Sequence, residues 1–206
     1  MRLTADSPES ESLNLGTVWL NAGKTSPYSF YQFWLNVADE DVYKFLRYFT
    51  FLSLKEIEDI ERSDRDSEKK PEAQRILARE ATELVHGKLG VEAALRISDA
   101  LFSGDPNKLS KKDFEQMCQD GISSSVDEEG LLQKPLTQIL TDCGMVKAGR
   151  EVKDALGRHS VFVNGIPQGN SDNMKAREIF SKEKALHGRF FLVRLGKKKY
   201  HLFERA

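Results

Sequence analysis

The sequence predicts a mainly α-helical protein with a small α+β module at its C-terminal end. Three observations carry this prediction. Apolar residues recur at spacings of three and four from about residue 27 to residue 120. Short β-prone runs bounded by turn residues cluster after residue 160. The charge also changes sign along the chain: residues 1–134 hold 17 Lys/Arg against 25 Asp/Glu, net −8, and residues 135–206 hold 14 against 7, net +7. The whole-chain net charge of −1 hides this asymmetry, which marks two modules and an anionic partner for the second. At 206 residues and 39% hydrophobic composition, the chain can bury a core.

The elements follow in order. Residues 1–16 are rich in Ser and Glu, show no period and are expected to be disordered. Thr17–Leu20 is a short β-prone run. Ser26 and Pro27 have the chemistry of a helix start, a capping oxygen followed by a residue that needs no N–H partner. The helix they open carries Tyr28, Phe30, Tyr31, Phe33, Trp34 and Val37, too aromatic a set for a solvent-facing surface. Large aromatics supply burial first, so this set is read as core or docking surface rather than as a platform for bases. Asp39 is expected to cap a second helix with Val42, Phe45, Leu46 and Phe49 on one face. Ser53 and Glu56 have capping-box spacing ahead of Leu54, Ile57 and Ile60. Residues 63–70 lack any apolar side chain and read as a loop. Pro71 opens a long helix through Ile76, Leu77, Ala81, Leu84 and Val85, with Gly87 as its expected end. Another helix carries Val91, Ala94, Leu95, Ser98 and Leu101 and stops near Gly104. Ser110–Asp120 forms the last, anchored by Phe114 and Met117.

Residues 17–120 thus read as one helical domain, 121–134 as a Ser-, Gly- and acid-rich linker, and 135–206 as the basic α+β module. In that module Leu136, Ile139 and Leu140 mark a helix ended by Gly144. Lys147–Leu156 marks a second, bounded by Gly157. Ser160–Val163 is a strand, Asn164-Gly165 a tight-turn signal, and Arg189–Leu195 and Tyr200–Phe203 are strands joined by a basic turn.

Several chemistries are absent from the pattern. No run reaches the roughly 18 apolar residues of a membrane span, and the first eleven residues have no apolar core of a secretory signal. His86, His159, His187 and His201 are scattered without ligand spacing, so no metal site is expected. Cys118 and Cys143 cannot build a disulfide framework, fit a reducing compartment and read as core residues. There is no nucleophile elbow and no phosphate-binding glycine loop. What stands out is cationic. Lys147, Arg150 and Lys153 fall at spacings of three, Arg158 follows the same helix, and Lys197, Lys198 and Lys199 crowd a hairpin tip. Adjacent ammonium groups repel unless an anion screens them, so these seven residues are the candidate phosphate contacts of a nucleic-acid surface.

Thr17-Val-Trp-Leu, Lys24-Thr-Ser-Pro-Tyr, Phe30-Tyr-Gln-Phe-Trp, Asp41-Val-Tyr, Phe49-Thr-Phe-Leu, Leu84-Val-His-Gly and Leu101-Phe-Ser-Gly closely resemble bacterial tyrosyl-tRNA synthetase after its catalytic lysine loop. Val163-Asn-Gly and Gly196-Lys-Lys-Lys-Tyr are similar to the small RNA-binding domain which that family shares with a ribosomal protein. The resemblance covers about residues 17–206. It implies a helical anticodon-binding bundle followed by a ribosomal-type (S-four-like) RNA-binding domain, with tRNA(Tyr) held at its anticodon and long variable arm. It also implies that the ATP-dependent, tyrosine-activating domain precedes everything present here, so that no cofactor is expected and ATP belongs to the full-length family. The lysine loop should stand just before Thr17, where the chain reads Ser7 to Gly16 without a lysine. Glu9 and Glu11 would repel the phosphates that such lysines stabilise. Related RNA-binding domains often carry Ser-Arg at the start of their second helix, where this chain has Ala148-Gly149 and then Arg150. The implied role is tRNA binding in the cytoplasm without aminoacylation, by a monomer, since the family's dimer contacts lie mainly in the catalytic domain. The rival roles are half of a split synthetase that works with a separate catalytic half, and a general structured-RNA binder. Loss of the catalytic domain is expected to bare apolar surface at Tyr28–Trp34.

Overall fold

The structure, a computed structural model, describes residues 18–67, 71–126, 134–197 and 199–205. The expected disorder of residues 1–16, the end of the 63–70 loop, most of the later part of the 121–134 linker and the position of Lys198 lie outside the described residues. The chain divides into two compact units between Leu95 and Arg96.

The first unit is helical. In α1 (Pro27–Leu35) the Ser26 hydroxyl accepts from the Ser29 N–H at 3.1 Å, and Pro27 fills the first turn. Tyr28, Phe30, Tyr31, Phe33 and Trp34 are all buried. Trp34 meets Phe30, Phe33 and Phe45 edge-on and lies tilted against Phe49 at 5.0 Å. The aromatic set is therefore core, and the apolar surface expected there is not bare. Helix α2 (Val42–Phe49) begins after Asp41. Asp39 is not its cap; its carboxylate instead accepts from the Gln74 side chain at 2.5 Å.

Helix α3 (Leu54–Asp66) opens with the Ser53–Glu56 capping box in both directions. It takes in residues 63–66, the first four of the stretch that the composition reads as a loop. Arg65 pairs with Glu61 one turn back, and Asp64 accepts from the Tyr43 hydroxyl and from the N–H groups of Glu72 and Ala73. These bonds fasten the end of α3 to the start of α4 (Ala73–Ser103). Burial, then the bond to Asp64, pushes the Tyr43 phenol up to about 12. Gly87, at φ 69°, ψ 178°, is non-helical, so Ala73–Ser103 is two helices joined at a kink, and the first ends where the sequence expects it to end. Val18, Phe30, Trp34, Val42, Leu46, Ile57, Leu77, Ala81 and Ala94 form the core of this unit.

The second unit takes in the last turns of α4, which Gly104 closes at φ 75°, and α5 (Lys111–Gln119), capped by a Ser110–Asp113 box. It continues through β1 (Ser123–Val126), α6 (Leu136–Asp142), α7 (Gly149–Gly157), β2 (Val161–Val163), β3 (Ile166–Gln168), α8 (Ala176–Ile179), β4 (Phe190–Leu195) and β5 (Lys199–Arg205). The sheet order is β1-β5-β4-β2-β3, with β1 parallel to β5 and the other pairs antiparallel. Asn164 and Gly165, at φ 51° and 81°, make the turn between β2 and β3 that their sequence announces.

Both faces of this sheet are covered. One carries Val161, Val163, Phe191, Val193, Leu195 and Phe203 into a core with Leu136, Leu140, Val152, Leu156 and Phe180. The other carries Phe190, Leu192 and Leu202, also buried. Phe114 of α5 stacks on Phe190 at 5.1 Å, and Leu101, Gly104 and Pro106 line a small crevice with Phe162, Leu192, Arg194 and Tyr200. Residues 96–120, which the sequence assigns to the helical bundle, thus pack on the sheet. Part of the expected linker is strand β1, where the Ser124 hydroxyl meets His201 Nε2 at 2.8 Å.

Candidate nucleic-acid interface

The cationic residues lie on two neighbouring pieces of the second unit. Arg150 and Lys153 project from α7 three residues apart, exposed, while Val152, Ala155 and Leu156 fill the opposite, buried face. Lys147 does not share their helix. Ala148 is extended at φ −146°, ψ 138°, and the helix begins only at Gly149, so Lys147 stands before its start. Ala148 offers no side-chain acceptor to the first turn, and the acidic side chain in that turn is Glu151. Arg158 lies at the other end, about 12 Å along the axis from Arg150 at 1.5 Å per residue. Its Nε donates to the Asp154 carbonyl at 3.2 Å.

The β4–β5 hairpin brings the second group. Gly196 turns at φ 63°, and Lys197 follows exposed, its carbonyl accepting from the Tyr200 hydroxyl at 3.4 Å. Lys199 pairs with Glu151 of α7 at 2.7 Å, with both side chains about half exposed. This pair places the hairpin beside the first turn of α7, so Arg150, Lys153, Lys197 and Lys199 belong to one region of the unit. An exposed pair of this kind contributes little to stability, about 1 kcal/mol at most.

Sequence reasoning missed a further basic stretch. Residues 174–189 carry Lys175, Arg177, Lys182, Lys184 and Arg189 against only Glu178 and Glu183, a signal that a local charge count contains. Lys182–Lys184 form an exposed 3-10 turn, held beside the β2–β3 turn by a 2.8 Å bond from the Asn164 side-chain amide to the Lys184 carbonyl. Arg189 pairs with Glu204. Arg194 has a different role: its guanidinium lies 4.2 Å over the Phe162 ring on the covered face of the sheet.

No group of three or more His, Cys, Asp or Glu among the described residues is placed to hold a metal ion. Cys118 and Cys143 are free and half-buried, and burial pushes both thiols up, away from the reactive thiolate. Burial likewise holds His201 below the usual imidazole range. A cavity of about 420 Å³ is lined by Ser124, Lys134, Asp142, Cys143 and Phe203 among others, with Lys134 and Asp142 paired to each other at 2.6 Å. No helix among the described residues is long and apolar enough to cross a membrane.

A helical unit followed by a sheet unit with a lysine- and arginine-rich surface is matched by two family models. Residues 3–103 match the class I tRNA synthetases (W and Y), which sets the class of protein. Residues 113–203 match the C-terminal domain of tyrosine–tRNA ligases of the SYY-like type, and the chain belongs to the tyrosine–tRNA ligase family. The tyrosine–tRNA ligase of Neisseria meningitidis serogroup A / serotype 4A is 44% identical over 193 residues, covering 91% of this chain and 44% of the relative. That of Aliivibrio fischeri strain MJ11 is 42% identical over 188 residues, covering 91% and 42%. The chain therefore spans less than half the length of these relatives. A C-terminally truncated mitochondrial tyrosyl-tRNA synthetase from Aspergillus nidulans is similar at 35% identity and a TM-score of 0.39, over 42% of this chain and 25% of that one.

Proposed function

We propose that this chain is the tRNA-recognition portion of a tyrosine–tRNA ligase, binding tRNA(Tyr) at the anticodon and variable arm and not charging it unaided. The helical unit up to residue 95 acts as the anticodon-side module, and residues 135–206, with 96–120 packed on their sheet, as an S-four-like RNA-binding module. The observation that carries this reading is the gathering of Arg150, Lys153, Lys197 and Lys199 on α7 and the adjoining hairpin, within the segment matched to the family's C-terminal domain. Fixed cations spaced along a helix and a hairpin suit the phosphates of a folded RNA, with Lys147, Arg158 and Lys198 as flanking contacts. The absence of a lysine from residues 7–16 supports binding without ATP chemistry. The cytoplasm, where tRNA is charged, is the compartment this role requires.

The test is a tRNA(Tyr) shift assay with aminoacylation measured in the same tubes. Binding is expected without charging. Changing Lys197, Lys198 and Lys199 together to Ala is expected to weaken binding to many RNAs alike and to lower the salt slope by about 1 for each phosphate no longer neutralised. An unchanged slope in that variant would refute the assignment, and charging by the purified chain would refute the non-catalytic role. The match of residues 3–103 to a synthetase family supports a second reading, a chain that charges tRNA(Tyr) together with a separate ATP-binding half. Restored charging on mixing with such a half distinguishes it.

A further inference from the structure

The cationic side chains of α7 and the β4–β5 hairpin can only donate. Arg150, Lys153, Arg158, Lys197 and Lys199 carry no side-chain hydrogen-bond acceptor. Such groups recognise phosphate, which RNA and DNA share. The side-chain acceptors that α7 adds to this surface are the carboxylates of Glu151 and Asp154, both exposed. The two differ in what they touch. Asp154 stands four residues from Arg150 and four from Arg158, on the face opposite buried Val152, Ala155 and Leu156. It joins no ion pair among the described residues. Glu151 is held from outside the helix: its Oε1 accepts from Lys199 Nζ at 2.7 Å, 48 positions away in the sequence. Its Oε2 has no hydrogen-bond partner among the described residues.

The Lys199–Glu151 pair is thus a donor and an acceptor side by side, fixed where the hairpin meets the first turn of α7. Its complement is an acceptor and a donor side by side. A ribonucleotide carries that combination, because its 3′-phosphate and its 2′-hydroxyl stand on adjacent carbons of the sugar ring. A deoxyribonucleotide has the phosphate alone. Base amino groups also donate, but the whole sugar separates them from the phosphate. A carboxylate beside a polyanion is normally repulsive, and the ammonium already at 2.7 Å offsets that repulsion here.

We infer that Glu151 is a specificity-determining residue: with Lys199 on a phosphate, the Glu151 carboxylate accepts from the 2′-hydroxyl of the same nucleotide and selects RNA over DNA. This rests on the tRNA-binding reading above and adds to it the group by which the basic surface tells ribose from deoxyribose.

The experiment titrates the full chain with tRNA(Tyr) built throughout from ribose, from 2′-deoxyribose or from 2′-fluororibose. The fluorine keeps the sugar pucker of RNA and removes the donor. The wild-type chain is expected to bind the ribose form about 10-fold more tightly than either of the others. E151A is expected to bring that ratio to about 2 or less, and to bind the deoxyribose form more tightly than wild type does, because a negative charge has gone. D154A removes the same charge from the same helix and is expected to raise affinity for all three forms alike, with the ratio kept. E151Q retains an acceptor oxygen and is expected to keep a ratio above that of E151A. K199A is expected to weaken all three forms and to lower the salt slope by about 1. Both carboxylates are exposed, so far-UV circular dichroism should be that of wild type in every variant. Equal wild-type affinity for the ribose and fluororibose forms overturns the inference and leaves the tRNA-binding reading standing. So does E151A with the wild-type ratio, since Glu151 is then a repelling charge and nothing more. If the wild-type chain binds none of the three forms, the inference and the reading beneath it both fall.

Discussion

The Asp113 carboxylate is wholly buried yet fully partnered. Arg96 donates to both of its oxygens at 2.8 Å, and Ser110 donates its N–H at 2.8 Å and its hydroxyl at 2.7 Å. Burial works to raise its pKa, but the bonds from Arg96 and Ser110 outweigh it and hold the group below the usual carboxylate range. A depressed carboxylate contributes stability that is full above its unfolded value near 3.8 and is lost as pH falls through the folded value. Asp113→Asn keeps an acceptor for Ser110 and removes the charge facing Arg96. Arg96 is 41% exposed, so water screens part of that attraction. The expected loss is about 1–2 kcal/mol at pH 7 by urea unfolding, with the gap to wild type closing as the solution is acidified below pH 4.

At the scale of elements, the junction of α4 with the sheet turns on Gly104. Its φ is 75°, and a Cβ built there would lie 3.0 Å from the Arg194 guanidinium that covers Phe162. Gly104→Ala is expected to cost about 1–3 kcal/mol, the left-handed backbone contributing about 1–2 and displacement of Arg194 the rest. Gly121, at φ 78° with open space around it, supplies the control, since Gly121→Ala should show the backbone cost alone in the same unfolding measurement. Much of this architecture is legible locally. Ser26, Ser53 with Glu56, Ser110 and Asn164-Gly165 each write their own cap or turn, because the partners are three residues away or fewer. What is illegible is non-local. Ser123–Val126 has a composition that disfavours strands, and β5, nearly 80 residues on, supplies its pairing. The apolar run Phe190–Leu195 signals burial on both faces, but not that α5 and the end of α4 provide the second cover. In the candidate site the lysine and arginine positions are plain in the sequence. The displacement of Lys147 from the helix and the capture of Lys199 by Glu151 depend on one backbone angle and one distant contact, and a spacing rule contains neither.

For the molecule as a whole, the division at Leu95 and Arg96 has a folding consequence. A polypeptide of residues 96–206 keeps the Phe114–Phe190 stack and both covers of the sheet, and is expected to unfold in one cooperative urea transition. One that begins at residue 135 uncovers Phe190, Leu192 and Leu202, and should bind a hydrophobic dye and lose that cooperativity. Two separate transitions in the 96–206 polypeptide would contradict the division. The charge asymmetry acts at this same scale, with cations concentrated where the covered sheet makes a rigid support. There the Lys199–Glu151 pair has its own effect. The protein carries a resident anion on one of its cations, so under the proposed tRNA-binding role an incoming phosphate would trade places with a carboxylate instead of entering an empty berth, and recognition at that lysine would become a swap of counter-charges whose outcome depends on what Glu151 does once it is released.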